Sequence, residues 1–72
     1  MTHDGSQFDD LPALMSPLTL AKVLDVSTKT LERWRIAGTG PAFFQPEGSR
    51  LVRYGRDEVV AWLGPTRVKN GN

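Results

Sequence analysis

The sequence predicts a mainly α domain with one small β-hairpin, and three observations carry that prediction. Two helix-start signals, Ser16-Pro17 and Ser27, follow each other with only Asp25-Val26 between the segments they delimit. Two short β-prone runs, Phe43-Phe44-Gln45 and Leu51-Val52-Arg53-Tyr54, flank Pro46-Glu47-Gly48-Ser49, which has the composition of a turn. A last stretch after Gly55 carries Val59, Val60, Trp62 and Leu63 at helical spacing. A chain of 72 residues holds one such domain and leaves no room for a two-domain enzyme.

Each element has a local cause. Pro17 suits the first helical position, because its missing N–H would be unpaired there in any case. Met15 and Leu20 stand at the two positions of a hydrophobic staple, and Leu20, Ala21, Val23 and Leu24 supply the apolar face of a helix from Pro17 to Leu24. Ser27 caps a second helix, Thr28 to Ala37, with Val26 and Leu31 as a second staple. Gly38 is a natural left-handed terminator, and Gly40-Pro41 prevents continuation. Two helices joined so tightly have the spacing of a helix-turn-helix. The hairpin is expected to turn at Gly48. In the last helix, Asp57 and Glu58 favour the positive end of the helix dipole, and Gly64-Pro65 stops the helix.

The domain is thus expected to occupy residues 15–64. Residues 1–14, with Asp4, Asp9 and Asp10 and no Lys or Arg, read as a flexible acidic leader. Phe8, Leu11 and Leu14 are the leader's means of docking, though no spacing demands it. Residues 65–72, with Arg67 and Lys69, read as a flexible basic tail.

Cysteine is absent from the chain, which removes disulfides, thiolate zinc sites and cysteine nucleophiles and fits the cytoplasm. His3 is the single histidine and has no supporting ligand set, so no metal, cofactor or small-molecule ligand is expected. Ser16 and Ser27 are explained as caps, Asp57-Glu58 by the dipole, and no glycine-rich phosphate loop occurs. The chain is therefore read as no enzyme. No apolar run approaches a membrane span or signal-peptide core.

The order helix, tight turn, helix, hairpin, helix, opened by Met15-Ser16-Pro17-Leu18-Thr19-Leu20-Ala21-Lys22-Val23-Leu24-Asp25-Val26-Ser27, resembles the small MerR-like winged helix-turn-helix domains, in particular the excisionase and AlpA-type group. Thr30-Leu31, Trp34, Gly38, Gly40-Pro41, Val52-Arg53-Tyr54 and Ala61-Trp62-Leu63 extend the resemblance over residues 15–64. The chain departs from the group at Asp25, where glycine is usual; aspartate tolerates the left-handed conformation better than most residues.

The resemblance implies a DNA-binding module, with its second helix in the major groove and its hairpin wing in a neighbouring minor groove. The charge distribution agrees with it independently. The formal +1 of the chain hides an uneven spread. In residues 27–56, Lys29, Arg33, Arg35, Arg50, Arg53 and Arg56 stand against Glu32 and Glu47, a net of +4. In residues 1–26, Lys22 stands against Asp4, Asp9, Asp10 and Asp25, a net of −3.

At about 100° per residue, Thr28, Lys29, Glu32 and Arg33 share an arc of roughly 140°, while Leu31 and Trp34 point to the other side. Thr28 and Lys29, beside the Ser27 cap, are expected to reach base edges, Lys29 suiting guanine acceptors. Arg33 is expected on phosphate, and Glu32 either accepts from cytosine or offsets its cationic neighbours. Arg35, near the edge of the helix, pairs with Glu32 or with phosphate. In the wing, Ser49 and Arg50 border the turn, and Arg50 is the candidate for a narrow A·T-rich minor groove. Arg53 is expected to clamp phosphate, as is the helix start at Gly55-Arg56. Trp34 and Trp62 are read as core, in preference to stacking platforms for single strands. Of Phe43 and Phe44, one should pack beneath the wing and the other be partly exposed.

As an excisionase, the protein would bind double-stranded DNA, self-associate cooperatively on it, and direct a partner phage integrase toward excision by deforming the DNA. An AlpA-like transcription regulator would use the same surface, as would the DNA-recognition domain of a phage packaging protein. A small protein-interaction adaptor, using Phe44 and the tails, is the reading from another class.

Overall fold

The computed structural model describes residues 11–64; most of the acidic leader (1–10) and the whole basic tail (65–72) lie outside the described residues. It contains three helices and a two-stranded antiparallel sheet in the order β1 (Leu14–Met15), α1 (Pro17–Leu24), α2 (Thr28–Ala37), β2 (Tyr54–Gly55) and α3 (Arg56–Leu63). The domain is mainly helical.

Both helices of the first pair begin and end on their own sequence signals. The Ser16 hydroxyl accepts from the Thr19 amide at 3.1 Å, and the Ser27 hydroxyl from the Thr30 amide at 3.0 Å. The two also end alike, each with a left-handed residue, Asp25 (φ 60°) after α1 and Gly38 (φ 78°) after α2. In both places the next amide reaches back five residues, Val26 N to Ala21 O at 2.9 Å and Thr39 N to Trp34 O at 2.8 Å. Asp25 is the only non-glycine residue with positive φ among the described residues. The same conformation recurs at Gly40 (φ 82°), where a side chain is excluded for a second reason. A Cβ there would meet Trp34 Cβ at 2.9 Å and its ring at 3.0 Å.

The core is formed by Met15, Leu20, Ala21, Leu31, Val52, Tyr54 and Val59, with Leu11, Leu24, Val26, Trp34 and Leu63 packed against it. Both staple pairs contribute, since Met15 and Leu20 are buried and Val26 packs beside buried Leu31. Trp34 and Trp62 lie with ring centroids 5.3 Å apart, joining α2 to α3. Two expected core positions are instead on the surface, Val23 of α1 and Val60 of α3. In α3 the buried stripe is set by Val59, with Trp62 and Leu63 half-buried, and Val60 turns outward.

The β structure departs most from expectation. The strands predicted at 43–45 and 51–54 form only one antiparallel bridge, Phe44 to Arg53, with N···O distances of 2.7 and 2.9 Å. Within the loop, side chains take the place of a ladder. Gln45 Nε2 donates to the Ser49 carbonyl at 2.8 Å, and the Leu51 amide donates to the Ser49 hydroxyl at 2.9 Å. Pro46 has no amide to offer, and its carbonyl accepts from Ser49 N at 3.0 Å to close a turn with Gly48 at φ 77°.

The two named strands pair residues far apart in sequence, Leu14 with Gly55 and Met15 with Tyr54. Residues ahead of Met15 therefore take part in the fold. Ala13 O accepts from Arg56 N, and Leu11 O accepts from Arg56 Nη1, both at 2.9 Å. Gly55 is buried at this crossing, where a Cβ would collide with the Glu58 carboxylate and crowd the Phe44 ring.

Candidate nucleic-acid interface

The helical period of α2 divides its residues between core and solvent. Leu31 is buried and Trp34 half-buried on one side, while Thr28, Lys29, Glu32, Arg33 and Ile36 are exposed on the other. The outward face is therefore a continuous stripe of the i, i+3, i+4, i+7 kind: Lys29, Glu32, Arg33 and Ile36. Ser27, which the sequence also marks as a contact, holds the helix start with its hydroxyl engaged by Thr30. Lys29 Nζ lies 3.9 Å from Glu32 Oε1 with both side chains largely exposed, a pair worth at most a few tenths of a kcal/mol, so neither charge is withdrawn from solvent.

Beside this face lies the 43–52 loop. An open cleft of about 350 Å³ runs between them, lined by Glu32, Arg35 and Ile36 of α2 and by Phe43, Gln45, Arg50 and Val52 of the loop. Exposed Arg33 and Arg50 make no hydrogen bond or ion pair among the described residues. Together with Lys29 they place three solvated cations on the helix face and the loop. Ser49 is half-buried, and its hydroxyl and carbonyl hold the loop in shape.

Three other predicted contacts are engaged within the fold. Arg35 does not pair with Glu32; its Nη1 donates to the Tyr54 hydroxyl at 2.7 Å, and its guanidinium stands 5.8 Å from the Phe43 ring centre. Arg53 is half-buried and donates to the Val52 carbonyl at 2.7 Å. Arg56 holds the Leu11 carbonyl, and its amide, expected to be a phosphate donor at the helix start, is taken by Ala13. All three still contribute positive charge to this part of the domain.

Ile36 and Tyr54 were not among the residues expected to shape this site. Ile36 is the most exposed large hydrophobic among the described residues, at 80%. The same 100° arithmetic puts it at the middle of the polar arc, so periodicity was the available signal. Tyr54 is 1% exposed, and only its neighbours across the fold reveal its role. Phe43 and Phe44 diverge as expected, but both keep substantial exposure. Phe43 lies 6.1 Å from the Tyr54 ring on the cleft side, and Phe44 lines a second hollow with Ala13, Leu14 and Gly55.

Among the described residues no cluster of His, Cys, Asp or Glu could hold a metal ion, and no helix is long and apolar enough to cross a membrane. No protein-family model matches the chain, and no curated protein sequence is significantly similar to it.

Proposed function

We propose that this is a winged helix-turn-helix protein that binds double-stranded DNA with sequence preference, α2 entering the major groove and the 43–52 loop serving as the wing. The observation that carries the reading is the outward stripe of α2 set beside Arg50 across an open cleft. An apolar inner side fixes the helix, while its solvated outer side offers Thr28 and Lys29 at the start, where recognition helices meet base edges. Arg33 and Arg50 are left for phosphate and minor groove. Lys29 can donate to guanine O6 and N7, and its loose pairing with Glu32 is easily exchanged for a base.

Within that activity, the resemblance of residues 15–64 to the excisionase group favours an architectural role in the cytoplasm. The protein would bend or coat DNA and bias a partner integrase toward excision, adjacent copies binding cooperatively. Such a role needs no chemistry of its own, only contacts that offset the deformation of DNA.

Titration of binding against salt is the direct test. Each neutralised phosphate contributes a slope of about −0.9 in log K against log salt, so binding through phosphate contacts predicts a clearly negative slope. Arg33→Ala should weaken all sequences alike and reduce the slope by about 1, whereas Lys29→Ala should mainly erase preference among sites. A flat salt response would refute DNA binding. An excision assay with and without the protein then tests the recombination role.

A further inference from the structure

The geometry points to Arg35 as a positioning residue that fixes the wing against the recognition helix by gripping Tyr54, and not as a contact to DNA. This inference rests on the DNA-binding reading above and concerns how that site is held in shape.

The Tyr54 side chain is fully buried in the core, and a buried hydroxyl needs a partner. Its oxygen receives one at 2.7 Å from Arg35 Nη1, 19 residues away. A charged donor makes this stronger than a neutral hydrogen bond, and the half-buried setting screens it less than a surface pair. The same guanidinium stands 5.8 Å from the centre of the Phe43 ring, and that ring lies 6.1 Å from the ring of Tyr54. One side chain of α2 therefore touches both limbs of the loop, Phe43 where it departs and Tyr54 where it returns. Both contacts sit next to the Phe44–Arg53 bridge, the one β-bridge between the loop's limbs, the other backbone bond being the turn from Ser49 N to Pro46 O.

The placement decides what these contacts do. Arg35, Phe43 and Val52 border the cleft that separates the helix stripe from Arg50. With only one bridge, the loop's direction depends on the contacts at its base. Removing the grip would leave Lys29 and Arg33 where they are, on a helix held by Leu31 and Trp34, and would free Arg50 to wander. A domain that must meet two grooves at once would then have to order its wing on binding, which lowers affinity.

Tyr54→Phe separates the possibilities, because it deletes one oxygen and no charge. The experiment measures affinity and salt slope on a selected duplex for wild type, Tyr54→Phe, Arg35→Met and the double variant, at a temperature where circular dichroism shows all four folded. The positioning role predicts that each single variant weakens binding measurably, by up to about tenfold, because the wing must then be ordered on binding and the strength of one charge-assisted hydrogen bond sets the upper bound of that cost. The double variant should be no weaker than either single one. Arg35→Met should leave the salt slope within 0.3 of wild type, whereas loss of a phosphate contact would shift it by about 0.9. Wing order gives a second readout. Backbone amide relaxation at Gly48–Leu51 in the free protein should show increased motion in Tyr54→Phe, with α2 unchanged.

If Arg35 is a phosphate ligand, Arg35→Met loses affinity with a shallower slope, and Tyr54→Phe binds as wild type or tighter because it releases the guanidinium; that pair of results overturns the proposal. A Tyr54→Phe protein that is less stable yet binds equally well when folded also overturns it, by showing the hydrogen bond to be structural only. Failure of the wild type to bind any duplex would instead reject the DNA reading itself.

Discussion

The α1–α2 pair and the 43–55 segment are built by opposite means. The helix pair rests on nearby signals: a serine cap three residues from the amide it serves, a left-handed residue at each end, and the apolar period that buries Leu20 and Leu31. The loop and β2 rest on distant ones, with Tyr54 held by Arg35, Gly55 paired with Leu14 and Phe44 bridged to Arg53. A cationic face on the first is rigid by construction, whereas one on the second is only as rigid as a few long-range contacts. Core and surface substitutions should expose that contrast. Leu31→Ala, at a fully buried position, is expected to cost about 3–5 kcal/mol. For so small a domain this is a large share of a total near the low end of about 5–15 kcal/mol, and urea unfolding followed by circular dichroism should show a collapsed midpoint. Leu51→Ala in the loop, 46% exposed, should stay within about 0.5 kcal/mol of wild type. Similar losses at both positions would mean that the loop is as tightly packed as the helix pair.

Glycines draw the same distinction at smaller scale. Gly40 and Gly48 have almost the same positive φ, 82° and 77°. A Cβ at Gly40 would press on Trp34 at 2.9 Å, whereas one at Gly48 meets nothing within 4 Å. Gly40→Ala should therefore cost about 2–4 kcal/mol, the left-handed strain adding to overpacking against the tryptophan. Gly48→Ala carries the strain alone, about 1 kcal/mol. Tryptophan fluorescence should shift in the first variant and not in the second, since Trp34 itself packs at a tilt against Trp62. Below these in size, Ser27→Ala removes the cap of α2 and should cost about 1 kcal/mol in the same unfolding measurement.

What was legible in the sequence follows the same division. The extents of α1 and α2 were legible, because caps and terminators act within a turn of the places they mark. The outward arc of α2 was legible for the same reason. The pairing of Leu14 with Gly55 was not, since a two-residue strand has no period and its partner lies 41 residues away. The hairpin was over-read because β-prone residues flanking a turn say nothing about whether side chains such as Gln45 and Ser49 will take the backbone's partners. Among the candidate site residues, Arg33 and Arg50 stand free in solvent and Lys29 is solvated with only a loose pairing to Glu32, while Arg35 and Arg56 are engaged with Tyr54 and Leu11. An arginine's reach of several ångströms lets it serve either end, and composition alone cannot tell which acceptor folding will bring within range.

The smallest expected effect lies at the turn that joins the helices and tests whether local signals are complete there. Asp25 holds φ 60°, a conformation that costs a residue with a Cβ about 1 kcal/mol, less for Asp than for most. Its side chain is exposed and makes no hydrogen bond or ion pair among the described residues, so nothing visible offsets the strain. Electrostatics is close to balanced, because the carboxylate follows the negative end of α1 and precedes the positive end of α2. Asp25→Gly relieves the strain and gives back part of the gain through the greater freedom of glycine in the unfolded chain. The net expectation is a stabilisation of about 0.5 kcal/mol by urea midpoint, with affinity for DNA unchanged. Asp25→Asn removes the charge but keeps the Cβ and the tolerance for this conformation, and should therefore be neutral. Equal gains from the two variants would place the cost in the charge, and would mean that the dipole of α1 outweighs that of α2 at the turn.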